Sequence, residues 1–237
     1  MNIFAIGDIH GCLSQLTSLH KNILTYDKFD PKKDLLIYLG DYIDRGRNSK
    51  EIIDQILKLK KNKINMINLM GNHDQFMIDF MINRKNNIKD WLNFGADTTF
   101  RSYGIEVVEF IKEGFDDNVI NKLREMSLKK IDKSHLDFFE KLEISFSTEK
   151  YLFVHAGIDP QKKLTDQTKK DYLWSRSNEF FDKEFKAKKI IVHGHTPVEN
   201  VINYPFRINI DSGCYFSGKL TSVCLTDDSD SRIFITN

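Results

Sequence analysis

The sequence predicts a mixed α/β fold, and three observations carry the prediction. Short apolar runs alternate with stretches of helical apolar spacing through roughly the first hundred residues, the sign of a β-α-β organisation with parallel strands. Five of the apolar runs end in loops rich in Gly, Asp, Asn and His, where open α/β sheets place their ligands. The composition, 41% hydrophobic and 29% charged with 4 prolines and 12 glycines, suits a packed globular chain and excludes a disordered or fibrous one.

The elements follow in order. Ile3 to Ile6 reads as a buried strand, and Leu13, Leu16, Leu19, Ile23 and Leu24 then recur at helical spacing. Leu35 to Leu39 is a second strand. Ile52, Ile53, Ile56 and Leu57 mark a second helix whose end is crowded by Lys58, Lys60, Lys61 and Lys63, cations that suit the helix dipole. A third strand is expected from about Ile64 to Met70. From about residue 75 to 150 the pattern gives way to helices and loops, among them Asp117 to Lys130 and a later helix that Ser134 would cap with Asp137 as its capping-box partner. This segment reads as a helical covering insertion that faces the substrate. Strand-like runs return at Tyr151 to Val154, Ile190 to Val192, Phe206 to Ile210, Leu220 to Leu225 and Ile233 to Thr236. Turn residues separate the last three in the manner of a meander, so the second half is expected to be antiparallel. No repeat, low-complexity tract or Gly/Ser linker interrupts the chain, and 237 residues suit one core, so residues 1–237 are expected to form one domain.

Thirty-five Lys and Arg against 34 Asp and Glu give a formal charge of +1, which asks for no polyanionic partner; neither nucleic acid nor a membrane surface is expected. The three cysteines Cys12, Cys214 and Cys224 are odd in number and far from metal-clip spacing, which fits a reducing compartment. Met1 and Asn2 lead straight into the first strand, leaving no room for a secretion signal, and no apolar run approaches the roughly 20 residues that span a bilayer. A cytoplasmic location is expected.

The strand-end loops read Gly7-Asp8-Ile9-His10-Gly11, Gly40-Asp41-Tyr42-Ile43-Asp44-Arg45-Gly46, Gly71-Asn72-His73-Asp74, His155-Ala156-Gly157 and His193-Gly194-His195-Thr196-Pro197. Asp8, His10, Asp41, Asn72, His155 and one histidine of the last loop offer carboxylate and amide oxygens and imidazole nitrogens, with no thiolate. That donor set suits Mn(II), Fe or Zn rather than a cysteine-type zinc site or a calcium cage. Six ligands are too many for one catalytic ion with open positions but fit two ions held roughly 3.5 to 4 Å apart by a bridging carboxylate, for which Asp41 is the candidate. Two such ions would lower the pKa of a shared water and aim it as hydroxide at phosphorus. Arg45 offers a guanidinium fork for phosphate oxygens. His73 offers an acid for the leaving oxygen, with Asp44 to orient it and favour its protonated form.

In this order, the motifs GDIHG, GDYIDRG, GNHD, VHAG and HGHTP resemble the phosphoprotein phosphatases, especially their short bacterial and phage members, from Gly7 to the Ile210-Asp211-Ser212-Gly213 run. The resemblance implies a calcineurin-like β-sandwich of two mixed sheets flanked by helices. It implies that Asp8, His10 and Asp41 hold one metal and Asp41, Asn72, His155 and His195 the other, that His73 and Asp44 form the acid dyad, and that Arg45, Asn72 and Arg176 meet the substrate. Arg176 enters because Leu173-Trp174-Ser175-Arg176 looks like the family's later Trp-Arg element. The implied activity is removal of phosphate from phosphoserine or phosphothreonine in proteins by a metal-bridging hydroxide, with Mn(II) the usual ion and phosphotyrosine a compatible substrate. Two other functions are kept beside it. One is hydrolysis of diadenosine tetraphosphate by the same chemistry, disfavoured because the symmetrical enzyme of that type lacks the aspartate corresponding to Asp44. The other is a non-catalytic scaffold, disfavoured by the intact ligand set and His73.

Two departures, Asp74 where eukaryotic relatives carry Glu and His-Ala-Gly where they carry His-Gly-Gly, point to the bacterial branch. A lone Asp or Gly at a strand end is usually a turn former, so the roles above rest on the five loops read together. His20 and His135 sit in helical patterns and read as packing residues. His193, two positions before His195 on the same side of an extended segment, reads as packing rather than as a second contact to the site. Cys12 and Cys214 read as small core residues beside the site loops, and Lys58 to Lys63 as a solvated helix end.

Overall fold

Ile3–Ile6 is apolar and buried at every position, so strand β1 must lie between two layers. In the computed structural model, which describes residues 1–112, 114–176, 178–182, 185, 188–226 and 229–237, it sits at the centre of one of two five-stranded mixed sheets. Helix α1 (Leu13–Leu24) follows, with Leu16, Leu19 and Ile23 buried on one stripe, then β2 (Leu35–Tyr38), α2 (Ser49–Lys61) and β3 (Met66–Asn68). Strands β1, β2 and β3 are parallel neighbours.

Mainly helical structure comes next: α3 (Asn72–Met81), α4 (Ile88–Asn93), α5 (Ala96–Ser102), α6 (Val107–Ile111), α7 (Asp117–Lys130) and α8 (Lys133–Glu140). Their sequence start lies at Asn72 rather than near Gln75, because Asp74 caps α3 from its third position by accepting the Gly71 N–H. Helix α7 has the expected bounds, with the Asp116 carboxylate accepting the N–H groups of Asn118 and Val119. Helix α8 departs from expectation: its N-cap is Asp132, without a side-chain cap, so Ser134 and Asp137 form no capping box.

The second sheet contains β4 (Ser145–Ser147), β5 (Tyr151–Val154), β6 (Ile190–His193), β7 (Ile202–Asn203) and β8 (Arg207–Asn209) in the order β4-β5-β6-β8-β7. Between β5 and β6 lie a short 3-10 turn at Leu164–Asp166, α9 (Lys169–Trp174) and α10 (Asn178–Asp182). After β8, α11 (Cys214–Ser217) leads to β9 (Thr221–Leu225) and β10 (Ile233–Thr236), which pair antiparallel with one another and join the first sheet beside β1.

The expected meander is therefore wrong. Strand β8 pairs in parallel with β6 in the second sheet, while β9 crosses to the first, and the Asp211-Ser212-Gly213 turn between them makes the crossing. The second half is likewise mixed rather than antiparallel, since β5, β6 and β8 run parallel. Two edge strands, β4 and β7, had no readable signal because three and two residues are too short for an alternation.

Period-two alternation then sorts the core. Ile3 and Ala5 of β1 pack with Ile37, Phe153, Val192, Ile208 and Val223 between the sheets, whereas Phe4 and Ile6 pack with Leu16, Leu19, Ile52 and Ile56 under the helices. On the outer face of the second sheet, Leu152, Val154 and Ile191 pack with Phe180. Among the described residues, no helix is long and apolar enough to cross a membrane.

Candidate active site

Parallel strands put their loops on one edge. The carboxyl ends of β1, β2 and β3 meet those of β5 and β6, and hydrogen bonds join the two edges: His155 Nδ1 lies 2.9 Å from the Leu39 carbonyl, and the His195 N–H donates to Asp8 Oδ2 at 3.0 Å. Every candidate from the sequence is at this seam. Asp8, His10, Asp41, Asp44, Asn72, His73, His155 and His195 are all buried, Arg45 is half-buried and Arg176 is exposed.

The backbone reaches this arrangement by unusual means. His10, Asp41, Asp44, Arg45 and His195 all have φ between 46° and 69°, a left-handed conformation that side-chain-bearing residues seldom adopt. Two glycines let the backbone approach the carboxylates closely. A Cβ on Gly71 would stand 2.1 Å from Asp41 Oδ1, and one on Gly194 would stand 2.0 Å from Asp8 Oδ1.

Asp41 divides the polar cluster in two. Its Oδ2 lies 3.4 Å from His10 Nε2 and 3.9 Å from His73 Nε2, while Oδ1 lies 3.5 Å from His155 Nε2. Two sets of donor atoms result, His10 with Asp41 and His73, and Asp41 with His155 and His195, each close enough to share an ion. The Asn72 Oδ1 joins the second, 2.9 Å from His155 Nε2 and 2.8 Å from His195 Nδ1. His10 and His155 each place Nδ1 2.9 Å from a main-chain carbonyl, of Ile43 and Leu39, so Nδ1 donates and the Nε2 lone pair is directed at Asp41.

These residues fit a pair of divalent ions. Asp8 Oδ1 is buried with no hydrogen-bond partner among the described residues, an acceptor left for something other than protein. Burial and the nearby charges of Asp211 and Asp41 raise the pKa of Asp8 well above its ordinary value, which is the electrostatic signature of carboxylates packed for a cation. Asp41 goes the other way: burial alone would raise its pKa, but the imidazoles of His155, His73, His10 and His195 hold it well below normal.

The histidines separate by charge. Burial lowers His10 to about 3 and His195 to about 2, and it also lowers His155, which favours ring nitrogens with lone pairs to offer. Burial would lower His73 too, but the charge of Asp41, with the hydrogen bond and charge of Asp44, outweighs it and raises the pKa above 6.5. Although His73 belongs to one donor set by distance, this electrostatic setting suits a proton donor. Its Nδ1 donates to Asp44 Oδ2 at 2.8 Å, and its Nε2 lies 3.3 Å from Arg45 Nη2. Arg176 Nε donates to His195 Nε2 at 3.1 Å, bringing both arginines to the same mouth.

The residues that hold Asp44 were missed. Trp91 Nε1 donates to Asp44 Oδ2 at 2.8 Å and Thr99 Oγ1 to Oδ1 at 2.6 Å, while the Asp44 N–H donates to Thr99 at 2.9 Å and to Ser49 at 3.2 Å. Trp91 and Thr99 come from α4 and α5, so the helical segment read as a cover also builds the base of the acid dyad. No local pattern announces them. Asp74 was noted only as a departure, yet its buried carboxylate accepts the N–H groups of Gly71 and Asp41 at 2.8 Å and of Tyr42 at 3.2 Å, fixing the strained Asp41 loop. Asp211, buried beside Asp8 with a pKa pushed up to about 7 chiefly by burial, follows a strand end and stands two positions before Gly213. The strand-end pattern that marked the other loops could have found it.

His193 faces elsewhere: its ring packs on Phe180 and Phe181 and lies 3.4 Å from Arg207 Nη1. The turn at His195, whose φ is 66°, breaks the extended geometry that would have put the two histidines on one side. His20 and His135 are buried and hydrogen-bonded to Tyr38 and Tyr103, as packing residues would be. All three cysteines are free, and the Cys12 thiol donates to the His10 carbonyl at 3.5 Å.

Comparison with known proteins agrees with the fold. The family model described as calcineurin-like phosphoesterase matches residues 1–227. The bis(5'-nucleosyl)-tetraphosphatase PrpE [asymmetrical] of Bacillus cereus strain Q1 is 30% identical over 237 residues, covering 92% of this chain and 88% of that protein. The protein of the same name from Anoxybacillus flavithermus is 28% identical over 236 residues with the same coverage. The crystal structure of the cold-active protein-tyrosine phosphatase of a psychrophilic Shewanella superposes with a TM-score of 0.61 over 99% of this chain and 80% of that one; at 18% identity the likeness is one of fold.

Proposed function

The chain belongs to the calcineurin-like phosphoesterases, and from that premise we propose that it hydrolyses the phosphoanhydride bridge of a dinucleoside tetraphosphate. The observation that carries this reading is the match to proteins named bis(5'-nucleosyl)-tetraphosphatase, which runs through 92% of this chain and includes the helical segment that builds the acid dyad. It favours a small nucleotide over the phosphoprotein that the motifs alone suggested. Asp44, which spoke against the dinucleotide reading, bears on the proton donor and not on what the phosphate is attached to.

In this mechanism Asp8, His10 and Asp41 would hold one divalent ion, and Asp41, Asn72, His155 and His195 a second. Such ions, Mn(II) by the family resemblance and Fe or Zn by the donor set, supply an activated water and neutralise phosphoryl charge when bound. Arg45 and Arg176 clamp the phosphate oxygens and orient the anhydride. Water oxygen joins phosphorus as the bond to the leaving nucleotide breaks, and His73, held at Nδ1 by Asp44, gives the Nε2 proton to the departing phosphate oxygen.

One observation favours a phosphoprotein substrate instead. The His73–Asp44 dyad, buried and braced by Trp91 and Thr99, suits a basic leaving group such as a serine alkoxide better than a nucleotide phosphate, which departs with less help. The deciding experiment is Mn(II)-dependent turnover of diadenosine tetraphosphate, a phosphoserine peptide and a phosphotyrosine peptide by one preparation. Preference for the dinucleotide, with unequal nucleotide products, supports the proposal. Preference for a phosphopeptide overturns it in favour of a protein phosphatase, and silence on all three leaves a scaffold.

A further inference from the structure

Two large aromatic side chains stand exposed at the mouth of the site. Tyr215 is 41% and Phe216 65% solvent-exposed, and their rings meet edge to face at 4.9 Å. An exposed pair of this size is unusual away from a binding surface. Tyr215 is anchored to the site itself: the Arg45 guanidinium carbon lies 4.6 Å over its ring, and its edge packs on His10 at 5.5 Å. Phe216 is anchored too, folded so closely over Gly213 that a Cβ there would stand 2.2 Å from the ring. Gly213 and Gly218, with φ of 65° and 72°, bracket the single turn α11 that presents both rings. The other aromatics near the site differ, since Phe76, Phe94 and Trp174 are half-buried and pack on one another.

Resting on the dinucleotide reading above, we propose that Tyr215 and Phe216 are specificity residues forming the platform on which a nucleobase of the substrate stacks. A phosphate held by Arg45 stands directly beside Tyr215, so a nucleoside attached to it falls within reach of Phe216. The planar face of any base can use such a surface, and stacking tolerates base identity because every base has a π-face. A phosphorylated serine side chain carries no ring to place there.

The test compares diadenosine tetraphosphate with inorganic tripolyphosphate, which offers the same anhydride without a base. In Phe216→Ala the ratio of kcat/KM for the dinucleotide to that for tripolyphosphate falls roughly 10-fold or more, within the range of one base stack, and the loss lies in KM for the dinucleotide. Phe216→Trp restores the ratio, which a merely structural role would not predict. A ratio unchanged in both Phe216→Ala and Tyr215→Leu overturns the platform while leaving the dinucleotide reading in place. Equal losses on both substrates overturn it as well, by tracing the effect to Arg45 or His10. Wild-type protein that cleaves phosphopeptides but not the dinucleotide overturns the reading beneath and the platform with it.

Discussion

Replacement of His73 by Asn separates two roles that distance alone leaves joined. His73 stands in one donor set with His10 and Asp41, yet its Nδ1 is bonded to Asp44 at 2.8 Å and its pKa is raised where those of His10 and His155 are lowered. Asparagine can keep a donor toward Asp44 Oδ2 while deleting Nε2 and its proton. A positioned general acid contributes roughly 100- to 10,000-fold, or about 3 to 5 kcal/mol of transition-state stabilisation. The expected result is thus a kcat lowered roughly 100-fold or more with both metals retained, and a larger loss on a phosphoserine peptide than on a dinucleotide, whose leaving group is less basic. The assay pairs steady-state kinetics on both substrates with elemental analysis of the purified variant. An unchanged kcat removes His73 from the chemistry, and loss of an ion alongside activity makes it a ligand. The sign of the pH dependence follows: activity that needs the His73 proton falls as pH rises through its raised pKa, and Asn abolishes that limb.

Asp41→Asn weakens the carboxylate that faces both donor sets, so the bound metal is expected to fall to half or less; two ions per chain by elemental analysis would contradict the bridging role. Trp91→Phe deletes one donor to the buried Asp44 carboxylate, a bond to a charged group worth about 1.5 to 3 kcal/mol, so kcat should drop roughly 10-fold or more with KM held. An unaltered kcat there would detach α4 from the mechanism. His20 provides a test outside the site: burial lowers its pKa from 6.5 to about 4, so the unfolded chain binds more protons between those values. Its contribution is complete above pH 6.5 and is lost as pH falls toward 4, on the order of 3 kcal/mol, so urea titrations of His20→Gln should show a flatter decline than wild type. Parallel declines would assign the acid sensitivity to other groups.

The site was far more legible than the topology. Ligand-type residues after strand ends leave a mark because chemistry demands particular atoms, and Asp8, His10, Asp41, Asn72, His155 and His195 do converge. Strand partners leave a weaker mark, since Thr221–Leu225 reads as a strand whether it pairs with β8 or crosses to β1. Trp91 and Thr99 were invisible for a different reason: a Trp and a Thr in a helical stretch are chemically ordinary until Asp44 is found against them. Substrate identity was the least legible of all, because five loops specify what is done to a phosphate and say nothing of what the phosphate is attached to.

The left-handed backbone at His10, Asp41, Asp44, Arg45 and His195 has a consequence for stability. Each such residue costs on the order of 1 to 3 kcal/mol, a sum comparable with the whole stability of a domain, and it persists because the surrounding packing and hydrogen bonds over-determine it. Glycine at any of these positions would relieve strain while deleting the side chain that the loop presents to the polar cluster. Stability and site geometry therefore pull in opposite directions here, and a sturdier version of this chain is reached by surrendering the arrangement at its strand ends.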